Sequence, residues 1–274
     1  LGDFHRKAMD LFRQYLIVGG MPQAVQEYVN NHDFDKVDLI KRQILNLYRN
    51  DIRKYAEGLE LRVTSIFDAL PGQLQKHEKK FRLSALKAEA RMRDYEDAFL
   101  WLADAKIINC CYNSTEPNIG LRLNEDRTTL KCYMGDTGLL ISHAFNNKSI
   151  VDESIYQKLM FQKLEINEGM LIENIVAQML AASGHKLFFF SKYDETNAEN
   201  RMEIDFLIQK PSITNRHNIS PLEVKSTNRY TTTSLMKFRQ KYTQFLATPY
   251  VLHTADLKEA DGIVYLPVYM AELL

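Results

Sequence analysis

Asp205, Glu223 and Lys225 are the residues of this chain whose types and spacing could do chemistry. Glu223 and Lys225 are two positions apart in a short strand pattern, so both side chains point to the same face of a sheet. Asp205 is embedded in the preceding strand pattern, where aspartate is disfavoured. Two carboxylates and an amine are costly to bury without partners. Together they could bind a divalent metal ion and position a water molecule.

Two short strands must hold these side chains. Residues 203–209 end in an apolar run, and residues 222–226 form a second strand pattern. The polar insert between them contains Asn, Ser, Thr and Pro residues, which are typical of a loop. Upstream, the apolar stripe of 168–183 predicts a helix that Gly184 ends. The remaining predictions are strands at 186–190, 250–253 and 262–266 and a helix at 233–245.

The last part of the chain, residues 148–274, is therefore expected to be an α/β domain with the order α-β-β-β-α-β-β. The first part, 1–75, shows the helical period instead. It predicts helices at 4–18, from Pro22 to about 29, from a cap at Asp35 or Asp38 to Tyr55, and at 61–75. The turn Gly19-Gly20-Met21-Pro22 is interpreted as a helix stop.

The middle part, residues 76–147, has the element order of a winged helix. Two short helices are predicted at 81–90 and 94–105, followed by strands at 106–112 and 130–134. The sequence Gly135-Asp136-Thr137-Gly138 after the last strand predicts a turn held by the aspartate side chain. The overall fold class is a multidomain mixture of α+β and α/β structure.

Basic residues concentrate in two places. Residues 76–93 hold seven Lys or Arg against two Glu. They could contact DNA phosphates or form a solvated face, and many winged helices only pack against neighbouring domains. No acidic residue occurs between Glu223 and Asp256. The candidate DNA contacts in the two places are Lys79, Lys80, Arg82, Lys87, Arg91, Arg93, Lys237 and Lys241.

Composition excludes some classes of protein. The chain has 274 residues, a net charge of zero and three cysteines, so no global attraction to DNA, disulfide framework or zinc spacing is indicated. No membrane-spanning run, signal peptide or evident small-molecule site occurs, and a cytoplasmic protein is expected. The sequence opens without Met and lacks a phosphate-cradling P-loop, so a fragment of a longer protein is expected.

Asp205, the sequence Glu223-Val224-Lys225 and an upstream helix carrying Glu173 resemble the PD-(D/E)XK nuclease superfamily. The resemblance implies a restriction-endonuclease-like domain in which Asp205 and Glu223 bind Mg²⁺ or Mn²⁺. It also implies that Lys225 orients or activates the attacking water and that Glu173 assists. Ile204 replaces the proline of the usual motif, which is a frequent departure in that superfamily.

Other motifs, spread over essentially the whole chain, are similar to a family of archaeal and bacterial AAA+ ATPases that end in an uncharacterised nuclease-like domain. The motifs are Tyr15-Leu16-x-x-Gly19-Gly20-Met21-Pro22, Tyr48-Arg49-Asn50-Asp51-Ile52, Tyr133-x-x-Asp136-x-Gly138-Leu139 and Glu173-Asn174. The resemblance implies that residues 1–75 are the helical lid of a P-loop ATPase core. That core is absent from these residues. By the resemblance, the core would bind ATP and would be a partner of this chain.

Three functions remain open from the sequence. The first is metal-dependent hydrolysis of DNA by the Asp205, Glu223 and Lys225 site. The second is an inactive nuclease fold that binds nucleic acid or protein and is coupled to the ATPase. The third is a structural cluster of ion pairs.

Overall fold

A computed structural model describes residues 2–76, 78–118, 120–145, 168–209, 218–227 and 229–274. The described chain forms two compact units. The helical unit contains residues 6–110 and 132–178, and the sheet unit contains 1–5, 111–131 and 179–274. Most of the expected polar insert after the first site strand lies outside the described residues, as does the expected domain boundary at 147/148. The division into 1–75, 76–147 and 148–274 stays a prediction.

Helices dominate the helical unit, and their bounds follow the apolar periodicity. They are α1 (Asp3–Val18), α2 (Pro22–Asn31), α3 (Phe34–Tyr55), α4 (Glu60–Leu74), α5 (Met92–Asp104), α6 (Thr137–Ala144) and the greater part of α7 (Glu168–Ala182). Gly19 has a positive φ of 80° and ends α1, as the predicted helix stop requires. Asp33 caps α3 by accepting the backbone N–H groups of Asp35 and Lys36, so the expected cap at Asp35 or Asp38 was wrong.

The expected helix at 81–90 does not form. That stretch contains only one 3₁₀ turn, Leu83–Ala85. The side-chain amide of Gln73 donates to the carbonyl of Arg82 and accepts from its N–H, which holds Arg82 in an extended conformation. Phe81 is buried edge-on against Phe99. These tertiary contacts outweigh the favourable helix propensity of the segment.

The described strands form an eight-stranded mixed sheet in the order β2-β1-β3-β4-β5-β6-β8-β7. Their bounds are β1 (Ile108–Ser114), β2 (Glu125–Met134), β3 (Phe188–Lys192), β4 (Met202–Gln209), β5 (Ile219–Val224), β6 (Tyr250–His253), β7 (Lys258–Ala260) and β8 (Ile263–Pro267). Helix α8 (Thr233–Tyr242) follows β5. The mixed α/β character was predicted, whereas β7 was missed because its three residues are all exposed and show no alternation.

The expected wing strands do not form a separate hairpin domain. Strand β1 pairs in parallel with β3, through Tyr112 with Phe188 and Asn113 with Phe189. Both strands thereby belong to the same sheet as the Asp205 and Glu223 strands. A separate winged-helix domain is therefore not confirmed.

Strands β3, β4 and β5 are antiparallel neighbours that position the carboxylates. Phe188 pairs with Leu207 and Phe190 pairs with Ile204, so β4 has one more residue than β3 over this interval. This is a β-bulge that contains Asp205, and bulges redirect side chains. The apolar core beneath the strands includes Ile204, Leu207, Leu235 and Phe238. Among the described residues, no helix is long and apolar enough to cross a membrane.

Candidate functional site

Asp205 occupies the point where the ladder between β4 and β5 ends. The last paired residues are Phe206 and Leu222, and beyond them Oδ2 of Asp205 accepts the backbone N–H of Val224 at 2.9 Å. The side chain is 20% exposed, so the carboxylate is open to solvent on one side. The bulge therefore gives Asp205 both a fixed position and access to solvent.

Glu223 and Lys225 lie together, as their alternation in the sequence predicts. Nζ of Lys225 is 2.7 Å from Oε2 of Glu223. The backbone N–H of Lys225 donates to the carbonyl of Leu252 on β6 at 2.8 Å, which extends the strand pairing to this residue. Glu223 is buried, whereas the side chain of Lys225 is 23% exposed. The lysine thus connects a buried carboxylate to the surface.

The surroundings of Glu223 oppose its negative charge. Burial raises the pKa of Glu223, and the nearby negative charge of Asp205 raises it further. Lys225 and the backbone N–H of Leu235, in the first turn of α8, act in the opposite direction. Oε2 is buried and ion-paired with the Lys225 ammonium, and no hydrogen bond of good geometry reaches it from the described residues. A buried oxygen in this state can take a further partner, such as water or an ion.

Lys131 on β2 is a member of this site that the sequence reasoning missed. Its ammonium lies 2.9 Å from Oε1 of Glu203 and 3.6 Å from Oδ1 of Asp205. It also lies over the ring of Phe189, 5.1 Å from the ring centre. The available signal was a lysine in the middle of an otherwise apolar strand pattern, Leu130 to Met134. Glu203, Asp205, Glu223, Lys131 and Lys225 are called the carboxylate–lysine cluster below.

Glu173, the expected accessory carboxylate, belongs to the helical unit. Its Oε1 accepts the hydroxyl of Tyr133 at 2.5 Å, and its Oε2 is ion-paired with Lys79. Lys79 also donates to the carbonyl of Gly169. Both side chains are largely buried, with 6% of Glu173 and 12% of Lys79 exposed. Glu173 was expected as an accessory carboxylate and Lys79 as a DNA contact, whereas in the structure the two residues are partners.

The other candidate DNA contacts lie in two places, the segment 80–93 and helix α8. Lys80 and Arg82 are paired with Glu78, while Lys87, Arg91 and Arg93 are exposed. On α8, Lys237 donates to the carbonyl of Ala198, and Lys241 donates to the side chain of Asn200. The ammonium groups on α8 are therefore engaged within the sheet unit.

The glycine motifs of the sequence meet around Asp136 in the helical unit. Asp136 caps α6 by accepting the N–H of Leu139 and also accepts the N–H of Gly20 at 2.6 Å. The expected simple turn at this aspartate is therefore a helix cap. A side-chain carbon on Gly138 would lie 2.5 Å from the carbonyl oxygen of Val18, so the two segments approach too closely for any other residue. These motifs serve packing.

A wide groove in the sheet unit lies apart from the cluster. It has a volume of about 1310 Å³ and runs along α8, with Lys237, Arg239 and Gln240 among its lining residues. Arg239 donates to the carbonyl of Asp261. The cluster residues do not line this groove. The groove is therefore large but does not contain the cluster carboxylates that could do chemistry.

Two carboxylates of the cluster are of the type that a divalent ion accepts as ligands. Asp205 and Glu223 offer carboxylate oxygens on neighbouring strands, and one of these oxygens is buried without a hydrogen bond from any described residue. In the described part of the chain, no group of three or more His, Cys, Asp or Glu residues could hold a metal ion. Two carboxylates suit Mg²⁺, which usually keeps several waters and binds through one or two carboxylates.

The fold and site define a mixed α/β protein with a helical unit and an eight-stranded mixed sheet that carries a carboxylate–lysine cluster. Residues 9–149, just over half of the chain, match a family described as a domain of unknown function (DUF8612), and the chain belongs to this family. Residues 168–270 match a second domain of unknown function (DUF4143), which is found in general in AAA-ATPase-associated proteins. No curated protein and no solved structure matches the chain.

Proposed function

We propose that the site at Asp205, Glu223 and Lys225 binds a divalent ion and hydrolyses phosphodiester bonds of DNA. The observation that carries the proposal is the buried Oε2 of Glu223. It is ion-paired with the partly exposed Lys225, lies near the partly exposed Asp205, and receives no hydrogen bond of good geometry from the described residues. A structural ion pair would be expected to satisfy both oxygens. An oxygen held in this way is suited to a cation or to an ordered water.

Each side chain has a role in this chemistry. Asp205 and Glu223 would hold Mg²⁺ or Mn²⁺, which when bound neutralises charge on the scissile phosphate. Lys225 is a compact cation that can orient the attacking water and stabilise developing negative charge. Its partly exposed side chain can reach a substrate at the surface while its ammonium stays near Glu223. Hydrolysis joins the water oxygen to phosphorus and releases the leaving oxygen.

DNA as the substrate is supported by exposed cations in the helical unit. Lys87, Arg91 and Arg93 are exposed in a segment that has few acidic residues. Phosphate contacts of this kind give binding without sequence readout. The match of 168–270 to a domain found in AAA-ATPase-associated proteins supports a role beside an ATPase core, which would bind the ATP.

A second function is favoured by a different observation. Asp205 already accepts the Val224 N–H and lies near Lys131, so both of its oxygens have partners within the fold. An inactive nuclease-like module that binds nucleic acid or protein would retain these contacts without cutting. This function predicts salt-dependent DNA binding that does not require Asp205.

Cleavage assays separate the two functions. The 274-residue chain is incubated with supercoiled and branched DNA in Mg²⁺, in Mn²⁺ and in a chelator. Cleavage that requires the metal and falls by about two orders of magnitude in Asp205→Asn supports hydrolysis. Asparagine keeps an oxygen that can accept the Val224 N–H, so this variant removes the charge and preserves the backbone contact.

Glu259→Gln is the matched control, because Glu259 is an exposed carboxylate of the same unit on β7. It should cleave like the wild type. No cleavage in either metal, or equal cleavage by wild type and Asp205→Asn, would remove the hydrolytic function. DNA binding by both proteins would then support the inactive module.

A further inference from the structure

Lys131 is almost completely buried in the sheet unit, with 1% of its side chain exposed. A buried ammonium is costly unless opposite charges and hydrogen bonds surround it. Glu203 and Asp205 provide those charges at 2.9 Å and 3.6 Å, and the face of Phe189 lies below the ammonium. The fold therefore places a fixed positive charge beside one of the proposed metal ligands.

The Lys131 ammonium lies where a bound cation could lie. Glu203 and Asp205 are two residues apart on β4, and the ammonium of Lys131 lies within ion-pair distance of both. A cation bound between two carboxylates is also the arrangement of a divalent-ion site. The side chain of Glu203 is 37% exposed, so solvent ions can reach this pair of carboxylates.

We propose that Lys131 is a positioning residue that fills a second cation position, between Glu203 and Asp205, and thereby limits the site to one divalent ion. The inference rests on the proposed function, in which Asp205 and Glu223 hold that ion. Lys131 is too buried to contact a substrate, so it acts through the placement and charge of Asp205.

The charge balance of the carboxylate–lysine cluster supports this restriction. Three carboxylates against two lysines leave one net negative charge. One divalent ion reverses that charge, and a second would add two further positive charges next to Lys131. Two cations this close repel each other strongly at low effective dielectric. Loss of the lysine charge should therefore open the second position.

Manganese stoichiometry tests the proposal without a requirement for activity. The 274-residue chain is titrated with MnCl₂, and free Mn²⁺ is measured by electron paramagnetic resonance. The wild type should bind one Mn²⁺, and Lys131→Met should bind two. Lys131→Arg retains the positive charge and should bind one. Lys131→Met/Glu203→Gln removes one carboxylate of the opened position and should return to one.

Failure of this inference differs from failure of the proposed function. If the wild type binds no Mn²⁺, or if Asp205→Asn leaves its binding unchanged, the metal site itself is wrong. If Asp205→Asn abolishes binding but Lys131→Met still binds one ion with unaltered affinity, Lys131 is only structural. A second ion that persists in Lys131→Met/Glu203→Gln also overturns the inference.

Glu203→Gln provides a test that retains the lysine, which matters if Lys131→Met does not fold. With Glu203 neutral, the ammonium interacts with Asp205 without competition from the Glu203 carboxylate. Mn²⁺ affinity of the remaining site should then weaken by about five- to tenfold. Unchanged affinity in this variant, with thermal unfolding like that of the wild type, overturns the inference.

Discussion

The two units each contain a buried glutamate paired with a lysine, but the two pairs differ in how completely they are satisfied. In the helical unit, Glu173 has Tyr133 on one oxygen and Lys79 on the other. In the sheet unit, Oε2 of Glu223 is ion-paired with Lys225, yet the described residues give it no hydrogen bond of good geometry. The same residue types therefore form a closed structural pair in one unit and an incomplete site in the other.

The difference follows from the elements that carry the side chains. Glu173 is in the interior of α7, and Asn174 beside it bonds to the backbone of Met134. That face of the helix is fixed by several hydrogen bonds. Glu223 is near the end of β5, where pairing with β4 has stopped, and the neighbouring strand β4 has a bulge that contains Asp205. Side chains at the end of a strand ladder, beside a bulge, have fewer neighbours to bond with than side chains in a packed helix interior.

Lys79→Met should have the largest effect on stability. It leaves the buried carboxylate of Glu173 without its ion-pair partner, which typically costs about 3–5 kcal/mol. Urea unfolding followed by circular dichroism measures the loss. The matched control is Arg82→Met, since Arg82 is 57% exposed and its pair with Glu78 should contribute less than about 1 kcal/mol. Equal losses in the two variants would contradict a closed structural pair at Glu173.

Lys41 in the helical unit predicts a pH dependence of stability. It is fully buried and donates to the carbonyl of Ile17 at 2.8 Å. Burial lowers the pKa of Lys41 from its usual 10.5 to about 8, although Asp38 and Asp136 oppose the shift. The unfolded chain therefore binds this proton more tightly. Stability should rise as pH increases from about 8 to 10.5, by at most about 3 kcal/mol.

The measurement is the difference in unfolding free energy between the wild type and Lys41→Met at pH 7, 8, 9 and 10. The variant should lose the rise, because it has no proton to release. Lys36→Met, at a position where 58% of the side chain is exposed, serves as the control and should follow the wild type. If the unfolding free energies of wild type and Lys41→Met change in parallel with pH, burial does not shift the titration of Lys41.

Glu223→Gln should change stability little, in contrast to the helical pair. Because burial raises the pKa of Glu223, the folded protein binds more protons than the unfolded chain between the usual and raised values. Stability therefore falls as pH rises through that window, and glutamine removes the fall. At pH 7 the variant should lie within about 1 kcal/mol of the wild type or above it. A loss as large as that of Lys79→Met would make Glu223 a structural residue.

Substitution of the exposed basic residues of the helical unit should weaken DNA binding. Substitution of the α8 lysines, whose ammonium groups already have partners, should have the smallest effect. Lys87→Ala/Arg91→Ala should reduce the slope of log affinity against log salt by about two, one for each lost phosphate contact. Lys237→Ala/Lys241→Ala should reduce it by less than one, since both ammonium groups already bond to residues of the sheet unit. Fluorescence anisotropy at several salt concentrations measures both. The reverse order would place the DNA on α8.

Much of the local structure could be predicted. The apolar period located α1, α2, α3 and α4 within a few residues, and alternation located β4 and β6. The pairing of Glu223 with Lys225 also followed from their spacing. These features depend on neighbours in the sequence, which is why one sequence was enough to find them.

Features that depend on distant residues were missed. The segment 81–90 has the composition of a helix, but Gln73 holds Arg82 in an extended conformation. Lys131 could be recognised only as an unusual strand residue, because its carboxylate partners are more than seventy residues away. The pair of Glu173 with Lys79 was not foreseen either, and the accessory role of Glu173 beside the nuclease-like motif stays a prediction.

The sequence by itself determined the helical start, the mixed α/β remainder and the types of the side chains that are proposed to bind a divalent ion. Those properties are encoded in periodicity and residue type. Only the tertiary structure decided which carboxylates are satisfied. Glu173 obtains two partners from the packing around α7, whereas Glu223 lies at a strand end with one oxygen that no hydrogen bond from the described part of the chain reaches. Satisfaction of a buried charge depends on what the fold brings within about 3 Å, and adjacent residues cannot specify that.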